Sequence, residues 1–456
     1  MYAGYVTPAG TDKNIHYWLV KAEDVDPATA PTVLWLTGGP GCSAALAMLQ
    51  EHGPVHVLPN GKGLYRNPWA WNKVANVVYF DAPVGVGFSW SPNTAEYEHQ
   101  NDWGVAKDNM GALQAFFEKF PELRANDFYI TGESYAGIYV PTLVDTIMEA
   151  NAAGNNPTLN LKGFAVGNGL MSQEVNDNSI IYFAYYHGLI DTDMWTDLKS
   201  HCCTPSGSDV DCNFHDPQAG SVCETLTTEA TTIIYSSGLN MYNLYYRCES
   251  QVDDFDPAKS RFPADMSMLF KPLQARGKID VAKLTREARM HASRSGNVGE
   301  TVPCINTKPE NDWLNSEAVR EALHVPSNVQ QWSVCSATVG NSYNNTVPDV
   351  TFIYKKYFDT TSPPLHGLVY NGDVDMACNF LGNEEVLGRL DLAETIPRRM
   401  WHYDGDQVAG FAQRFHDSLD FVTVRGAGHM VPQMGFGNPK GALEMLTSFL
   451  NHTLPE

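Results

Sequence analysis

Three residue types in one chain could carry acyl transfer if the fold brought them together: Ser134, Asp373 or Asp375, and His429. Ser134 stands in the heptad Thr-Gly-Glu-Ser-Tyr-Ala-Gly at 131–137. The preceding Phe128-Tyr129-Ile130 is short, aromatic and β-branched, which predicts a strand. The following IYVPTLVDTIMEA, from Ile138, is apolar at helical spacing, which predicts a helix. A serine hemmed by glycines between a strand and a helix is the sequence form of a nucleophile elbow. So tight a turn excludes large flanking side chains and lifts the hydroxyl to the top of a sheet. The helix N-terminus behind it favours negative charge developing on a substrate oxygen. The general pattern is G-x-S-x-G, and here Ala136 stands where the second glycine belongs, with Gly137 one place later.

A serine nucleophile needs a base, and the base needs an orienting acid. In sheets of this type they follow in the chain order Ser, Asp or Glu, His, each at the C-terminal end of a strand. YNGDVDMACN places Asp373 and Asp375 after a strand ending near Tyr370, and GAGHMVP places His429 after the strand FVTV. An oxyanion site needs two backbone N–H groups. One comes from the residue after the nucleophile, here Tyr135. The other is expected from the Gly-rich loop Gly38-Gly39-Pro40-Gly41-Cys42-Ser43, which lacks the lysine of a phosphate loop.

The elements that must position these residues alternate. TVLWLTGG (32–39), NVVYFDAP (76–83), 128–130, LKGFAVGNG (161–169), LHGLVYNGD (365–373) and FVTVRGAGH (421–429) read as strands. GVAKDNMGALQAFFEKF (104–120) reads as a helix closed by Pro121. Such alternation implies a largely parallel α/β sheet with helices on both faces. The middle of the chain, from about 170 to 304, is cysteine-, Tyr- and Asn-rich, and reads as an insertion over the functional edge of the sheet. The basic, weakly periodic stretch at 250–300 within it reads as a cleavable loop.

With 456 residues, 43% hydrophobic and 11% aromatic, the chain can bury a large core and is not disordered. A net charge of −22 argues against binding nucleic acid or anionic membranes, and suits an acidic compartment where carboxylates lose charge. No run approaches the roughly 20 apolar residues that cross a bilayer. The N-terminal MYAGYVTPAGTDKNIHYW has neither a basic n-region nor an apolar h-region, so no signal peptide is expected within this chain. Of the nine cysteines, Cys202, Cys203, Cys212 and Cys223 cluster without a C-x-x-C pair, which suits nested disulfides better than zinc. The sequons at Asn344 and Asn451 are compatible with a secretory route.

WLTGGPGCS, EHGP, WAWN, DAPVGVGFSW, GESYAGIYVP, GNG, YNGDVDMACN and GAGHMVP resemble, in order, the signature blocks of the serine carboxypeptidases, and lysosomal members in particular. The resemblance implies an α/β-hydrolase fold: a mixed, mostly parallel sheet flanked by helices. The core would run over 1–169 and 305–456, with a disulfide-rich cap over 170–304 that holds the loop excised on maturation. It further implies Ser134 as nucleophile, His429 as base and then acid, and Asp375 rather than Asp373 as the orienting carboxylate. Gly39 and Tyr135 amides would form the oxyanion hole, and Gly38 and Thr37 would line the substrate site. Peptides with a free C-terminus are the implied substrates, with no cofactor and no metal.

Glu51 and Glu133 match family positions that hold the substrate's terminal carboxylate. Two close acidic groups cannot both ionise cheaply, so a protonated glutamate is available to donate, and free-acid peptides are expected to bind best at acid pH. The family block is W-L-N-G-G-P-G, and Thr37 replaces its asparagine. A shorter donor there could lose about 1.5–3 kcal/mol, roughly 10–100-fold in affinity. Tyr242, Tyr245, Tyr246 and Met430 suggest a preference for aromatic and apolar C-terminal residues. The family's cysteine pattern implies pairs Cys42–Cys335, Cys202–Cys223, Cys203–Cys212 and Cys248–Cys304, with Cys378 free and buried as a small hydrophobe. It also implies a homodimer, lysosomal glycosidases as binding partners, and a lysosomal, vacuolar or secreted location.

Overall fold

A computed structural model describes residues 1–154, 158–204, 212–248, 304–358, 365–403 and 405–456. The stretch expected to be a cleavable loop, 250–300, lies outside the described residues.

Ten strands form one sheet: β1 (Tyr2–Val6), β2 (Ile15–Val20), β3 (Thr32–Leu36), β6 (Asn76–Phe80), β7 (Phe128–Glu133), β8 (Leu161–Gly167), β9 (His366–Gly372), β10 (Glu394–Tyr403), β11 (Gln407–Phe415) and β12 (Leu419–Val424). The remaining two, β4 (Val55–Val57) and β5 (Leu64–Arg66), pair as a separate hairpin. The order across the sheet is β1-β2-β6-β3-β7-β8-β9-β12-β11-β10. From β6 to β12 all neighbours are parallel, and the two outer pairs at each edge are antiparallel. This is the mixed, mostly parallel sheet of an α/β hydrolase.

The strands are continuous apolar runs because both of their faces are covered. Val33 and Trp35 of β3 point into one hydrophobic core, and Leu34 and Leu36 into another. Val77 and Tyr79 against Val78 and Phe80 repeat the division in β6. Helices α2 (Asp102–Lys119) and α3 (Ala136–Ala152) cover one face; α1 (Ala45–Gln50), α4 (Gln173–Tyr186) and Pro439–Leu450 contribute to the core on the other. The helix read at 104–120 thus begins at Asp102, capped by the Asn101 side chain, and ends before Pro121.

Between β8 and β9 the chain leaves the sheet. Among the described residues it forms α4, α5 (Thr192–Cys202), α6 (Val222–Ser236) and four further helices before returning. Disulfides Cys202–Cys223 and Cys203–Cys212 tie α5 to α6 and to the segment between them. Cys248–Cys304 closes the ends of the undescribed stretch. Cys42–Cys335 fastens the Gly-rich loop after β3 to the later half of the chain. Cys378 is free and buried, and burial pushes its thiol well up, as suits an inert small hydrophobe. Among the described residues no helix is long and apolar enough to cross a membrane. Asn344 and Asn451 are both exposed.

Candidate active site

Four adjacent parallel strands, β7, β8, β9 and β12, each deliver one polar side chain at their C-terminal ends: Ser134, Asn168, Asp375 and His429. Loops at that edge of a parallel sheet are where α/β folds place their ligands.

Ser134 follows β7 with φ +64°, the left-handed region that a side chain occupies only under constraint. The constraints are steric. A Cβ on Gly132 would lie 2.4 Å from the Leu36 carbonyl oxygen and 2.6 Å from the Ala136 methyl. One on Gly137 would lie 2.5 Å from the Leu170 carbonyl oxygen. That accounts for the displaced glycine. Position 136 tolerates a methyl because it faces Gly132, whereas Leu170 crosses the chain one residue later. The Ser134 carbonyl accepts from the Gly137 and Leu170 amides, at 2.9 Å each, which locks the turn.

His429 Nδ1 donates to Asp375 Oδ2 at 2.8 Å, and both side chains are buried. The same oxygen accepts from Asn168 Nδ2 at 2.9 Å and from the Cys378 amide at 3.1 Å, and Oδ1 accepts from the Ala377 amide at 3.0 Å. So filled, the carboxylate is fixed in orientation and holds the imidazole with Nε2 free for other work. The His429 amide donates to the Tyr242 carbonyl at 2.7 Å. A Cβ on the neighbouring Gly428 would meet that carbonyl at 2.3 Å, which is why the turn is glycine-rich. Asp373, the alternative carboxylate, points elsewhere: its Oδ1 accepts from the Gly426 amide at 2.6 Å. Asn168 was not singled out from the sequence. Its only signal is position, between two glycines after β8, where it adopts φ +41°.

The Gly-rich loop packs directly on the elbow. A Cβ on Gly38 would sit 2.4 Å from the Tyr135 nitrogen and 2.7 Å from the Ser134 Cβ, so only glycine fits. Gly39 has φ +111°, and the Gly39–Pro40 peptide is cis. Among the described residues neither the Gly39 nor the Tyr135 amide has an intramolecular acceptor, and both flank Ser134.

Ser134, His429, Gly39, Thr37 and Glu133 share one cleft, whose apolar wall includes Leu46, Tyr242, Ile305 and Met430. Of the three tyrosines Tyr242, Tyr245 and Tyr246 only Tyr242 lines it. Tyr245 is exposed, and Tyr246 packs on Phe436 with ring centroids 3.9 Å apart. Glu133 belongs to the cleft wall, and the fully buried Glu51 backs it. Burial raises the pKa of both. The charge on Glu51 raises that of Glu133 further, as does the nearby Asp375. As two carboxylates the pair would leave both Glu51 oxygens and Glu133 Oε2 without a partner, whereas one shared proton makes a carboxylic acid–carboxylate hydrogen bond. Glu51 is held by its backbone: its carbonyl accepts from His56 Nε2 and Asn67 Nδ2, each at 3.0 Å. Thr37 Oγ1 accepts from the Trp35 indole N–H at 2.9 Å, which leaves the hydroxyl proton to donate into the cleft.

A family model described as "Serine carboxypeptidase" matches residues 1–452. The chain belongs to this family. It is a serine-type carboxypeptidase, a hydrolase that acts on peptides. The lysosomal protective protein of Mus musculus is 41% identical to this serine carboxypeptidase over 460 residues, which cover 99% of the chain and 90% of the relative. Serine carboxypeptidase ctsa-4.1 of Caenorhabditis elegans is 37% identical over 99% of the chain and 90% of its own length. A prohormone-processing carboxypeptidase from Saccharomyces cerevisiae superposes with a TM-score of 0.70 at 22% identity, over 98% of this chain and 90% of that one, and shows the shared fold.

Proposed function

We propose that this serine carboxypeptidase removes C-terminal residues through an acyl-enzyme on Ser134 and works best at acid pH. His429 takes the serine proton as Oγ attacks the scissile carbonyl, and returns it to the leaving amine. Asp375 holds the imidazole in the tautomer that presents Nε2 and stabilises the imidazolium. The oxyanion is received by the Gly39 and Tyr135 amides, which have no intramolecular acceptor among the described residues and so need not give one up. Water then repeats the sequence on the ester.

The observation that carries the exopeptidase reading is the buried Glu51–Glu133 pair beside the serine. With its proton the pair donates to the terminal carboxylate of a peptide, and the Thr37 hydroxyl supplies a second donor. Endopeptide substrates have no such charge to offer. Leu46, Ile305, Met430 and Tyr242 favour an apolar or aromatic residue. Four disulfides and two exposed sequon asparagines support maturation in the secretory pathway. The lysosomal name of the mouse relative agrees with an acidic destination.

The test is mass spectrometry of a peptide ending in Phe or Leu, incubated at pH 5 and pH 7 with wild type and with Ser134→Ala. Stepwise C-terminal loss, faster at pH 5 and absent from the variant, is expected. Internal cleavage, or equal rates at both pH values, contradicts the carboxylate-pair account.

A further inference from the structure

Asp102 is fully buried, and nothing in the chemistry above uses it. It is the first residue of α2. Its Oδ1 accepts from the Tyr135 hydroxyl at 2.9 Å and the Tyr343 hydroxyl at 3.1 Å. Its Oδ2 accepts from the Thr346 amide at 2.6 Å, the Val347 amide at 2.8 Å and the Thr346 hydroxyl at 3.2 Å. A carboxylate can sit in a dry interior only when its lone pairs are filled, so these donors are pinned to it.

The Tyr135 half of the oxyanion site sits in that network, and the Gly39 half is joined to it through the chain that leads to Thr346 and Val347. Tyr135 follows Ser134, and a serine at φ +64° persists only where its surroundings over-determine it. The Tyr135 ring is held edge-on by Tyr139, at 5.2 Å between centroids, and by Tyr343, at 5.6 Å, with its hydroxyl on Asp102. The segment carrying Thr346 and Val347 follows the helix Ala337–Ser342. The residues that lead into this helix are tied to the Gly-rich loop by Cys42–Cys335 and by the Ser336 amide, which donates to the Gly41 carbonyl at 2.8 Å.

We propose that Asp102 is a positioning residue for the oxyanion site. Through the Tyr135 hydroxyl it sets the aim of the Tyr135 amide. Through Thr346 and Val347 it steadies the segment that follows the helix whose start is bonded to the facing loop. The inference rests on the oxyanion reading of the Gly39 and Tyr135 amides.

Three variants of the full chain test it. Tyr135→Phe removes the hydroxyl and keeps ring and amide. Tyr343→Phe removes a bond of the same kind from the same oxygen without touching the elbow backbone. Asp102→Asn removes the charge. Each is assayed on matched oxo and thiono esters of a blocked amino acid. Sulfur is a larger and weaker acceptor than oxygen, so an aimed oxyanion site discriminates against the thiono ester, and the ratio of the two kcat/KM values reports that aim. Deleting an oxyanion donor outright costs roughly 100- to 1,000-fold in kcat. Tyr135→Phe keeps the donor and loses its aim, so it is expected to lower kcat on the oxo ester about 10-fold, with KM within about two-fold, and to shrink the oxo/thiono ratio by a similar factor. Asp102→Asn is expected to do at least as much. Tyr343→Phe is expected to lower thermal stability comparably while leaving kcat and the ratio within about two-fold.

Equal loss of kcat in Tyr135→Phe and Tyr343→Phe, or an unchanged ratio in Tyr135→Phe, makes Asp102 merely structural and overturns the proposal. A wild-type ratio near one overturns the oxyanion reading itself, and the proposal with it. If Asp102→Asn fails to fold, the two tyrosine variants still decide.

Discussion

Replacing Glu133 by Gln tests the carboxylate pair most sharply. Glu133 and Glu51 are both buried, and burial together with mutual repulsion raises the Glu133 pKa. The sign follows directly. An acid with a raised pKa keeps its proton to higher pH, so donation to a substrate carboxylate is strongest at acid pH and is lost as pH rises through the raised value. A charge-assisted hydrogen bond of this kind contributes about 1.5–3 kcal/mol, equivalent to roughly 10–100-fold in affinity. Ionising the pair adds repulsion of a third negative charge, on the order of 4 kcal/mol at 4 Å with an effective dielectric constant near 20. Wild-type KM for a free-acid peptide is therefore expected to rise at least about 10-fold between pH 5 and pH 8. Gln keeps an N–H donor at every pH. In Glu133→Gln the KM at pH 5 should stay within about three-fold of wild type, and the rise toward pH 8 should largely vanish. The assay is the pH dependence of KM for one peptide as the free acid and as its C-terminal amide. The amide, having no charge to bind, should show little of the wild-type rise. If acid and amide respond alike in wild type, or if Glu133→Gln keeps the wild-type profile, the glutamates do not hold the terminal carboxylate.

Gly38→Ala drives a methyl to 2.4 Å from the Tyr135 nitrogen, so loop and elbow must part. Overpacking of this kind costs about 1–3 kcal/mol, and kcat should fall at least about 100-fold because an oxyanion donor moves with it. Near wild-type kcat would mean that the two segments do not touch as described. Thr37→Val removes the hydroxyl and orphans the Trp35 indole N–H, which should raise KM for free-acid peptides about 5- to 20-fold and leave C-terminal amides unaffected. A Thr37→Ser variant retaining wild-type KM completes that comparison. Glu310, on the buried side of the helix Lys308–Leu314, is pushed by burial from 4.5 to about 7. The fold binds its proton more tightly than the unfolded chain does. Stability therefore drops, on the order of 3 kcal/mol, as pH rises from about 4.5 to about 7. Denaturant unfolding at pH 5 and pH 7.5 should show Glu310→Gln losing that share of the pH slope, and an unaltered slope would refute it.

Local order was the most readable feature of this chain. The β-branched runs at 32–36, 76–80 and 128–130, and the helical spacing after Ile138, reflect residues that must bury on set faces, and the structure places β3, β6, β7 and α3 there. The strands of the antiparallel flanks were harder. β2 (IHYWLV) is buried throughout, so no alternation marks it. β10 is mostly exposed, contains Pro397, and pairs with β11 through interrupted register. Without a periodic signal such strands exist only because a neighbour offers them hydrogen bonds.

Sequence alone settled which chemistry was on offer. A serine between glycines at a strand–helix junction, and an aspartate and a histidine after later strands, follow from steric demand and residue type, which are local properties. Which aspartate meets His429, and that Asn168 holds it there, depended on β8 lying between β7 and β9. The pairing of Glu51 with Glu133, and the junction at Asp102 of the elbow with the 343–347 segment, are likewise contacts between parts of the chain far apart in sequence. Periodicity records how each segment faces a core. Only the order in which the segments pack decides what stands beside what, and hence which buried carboxyls keep a proton and which amides stay free.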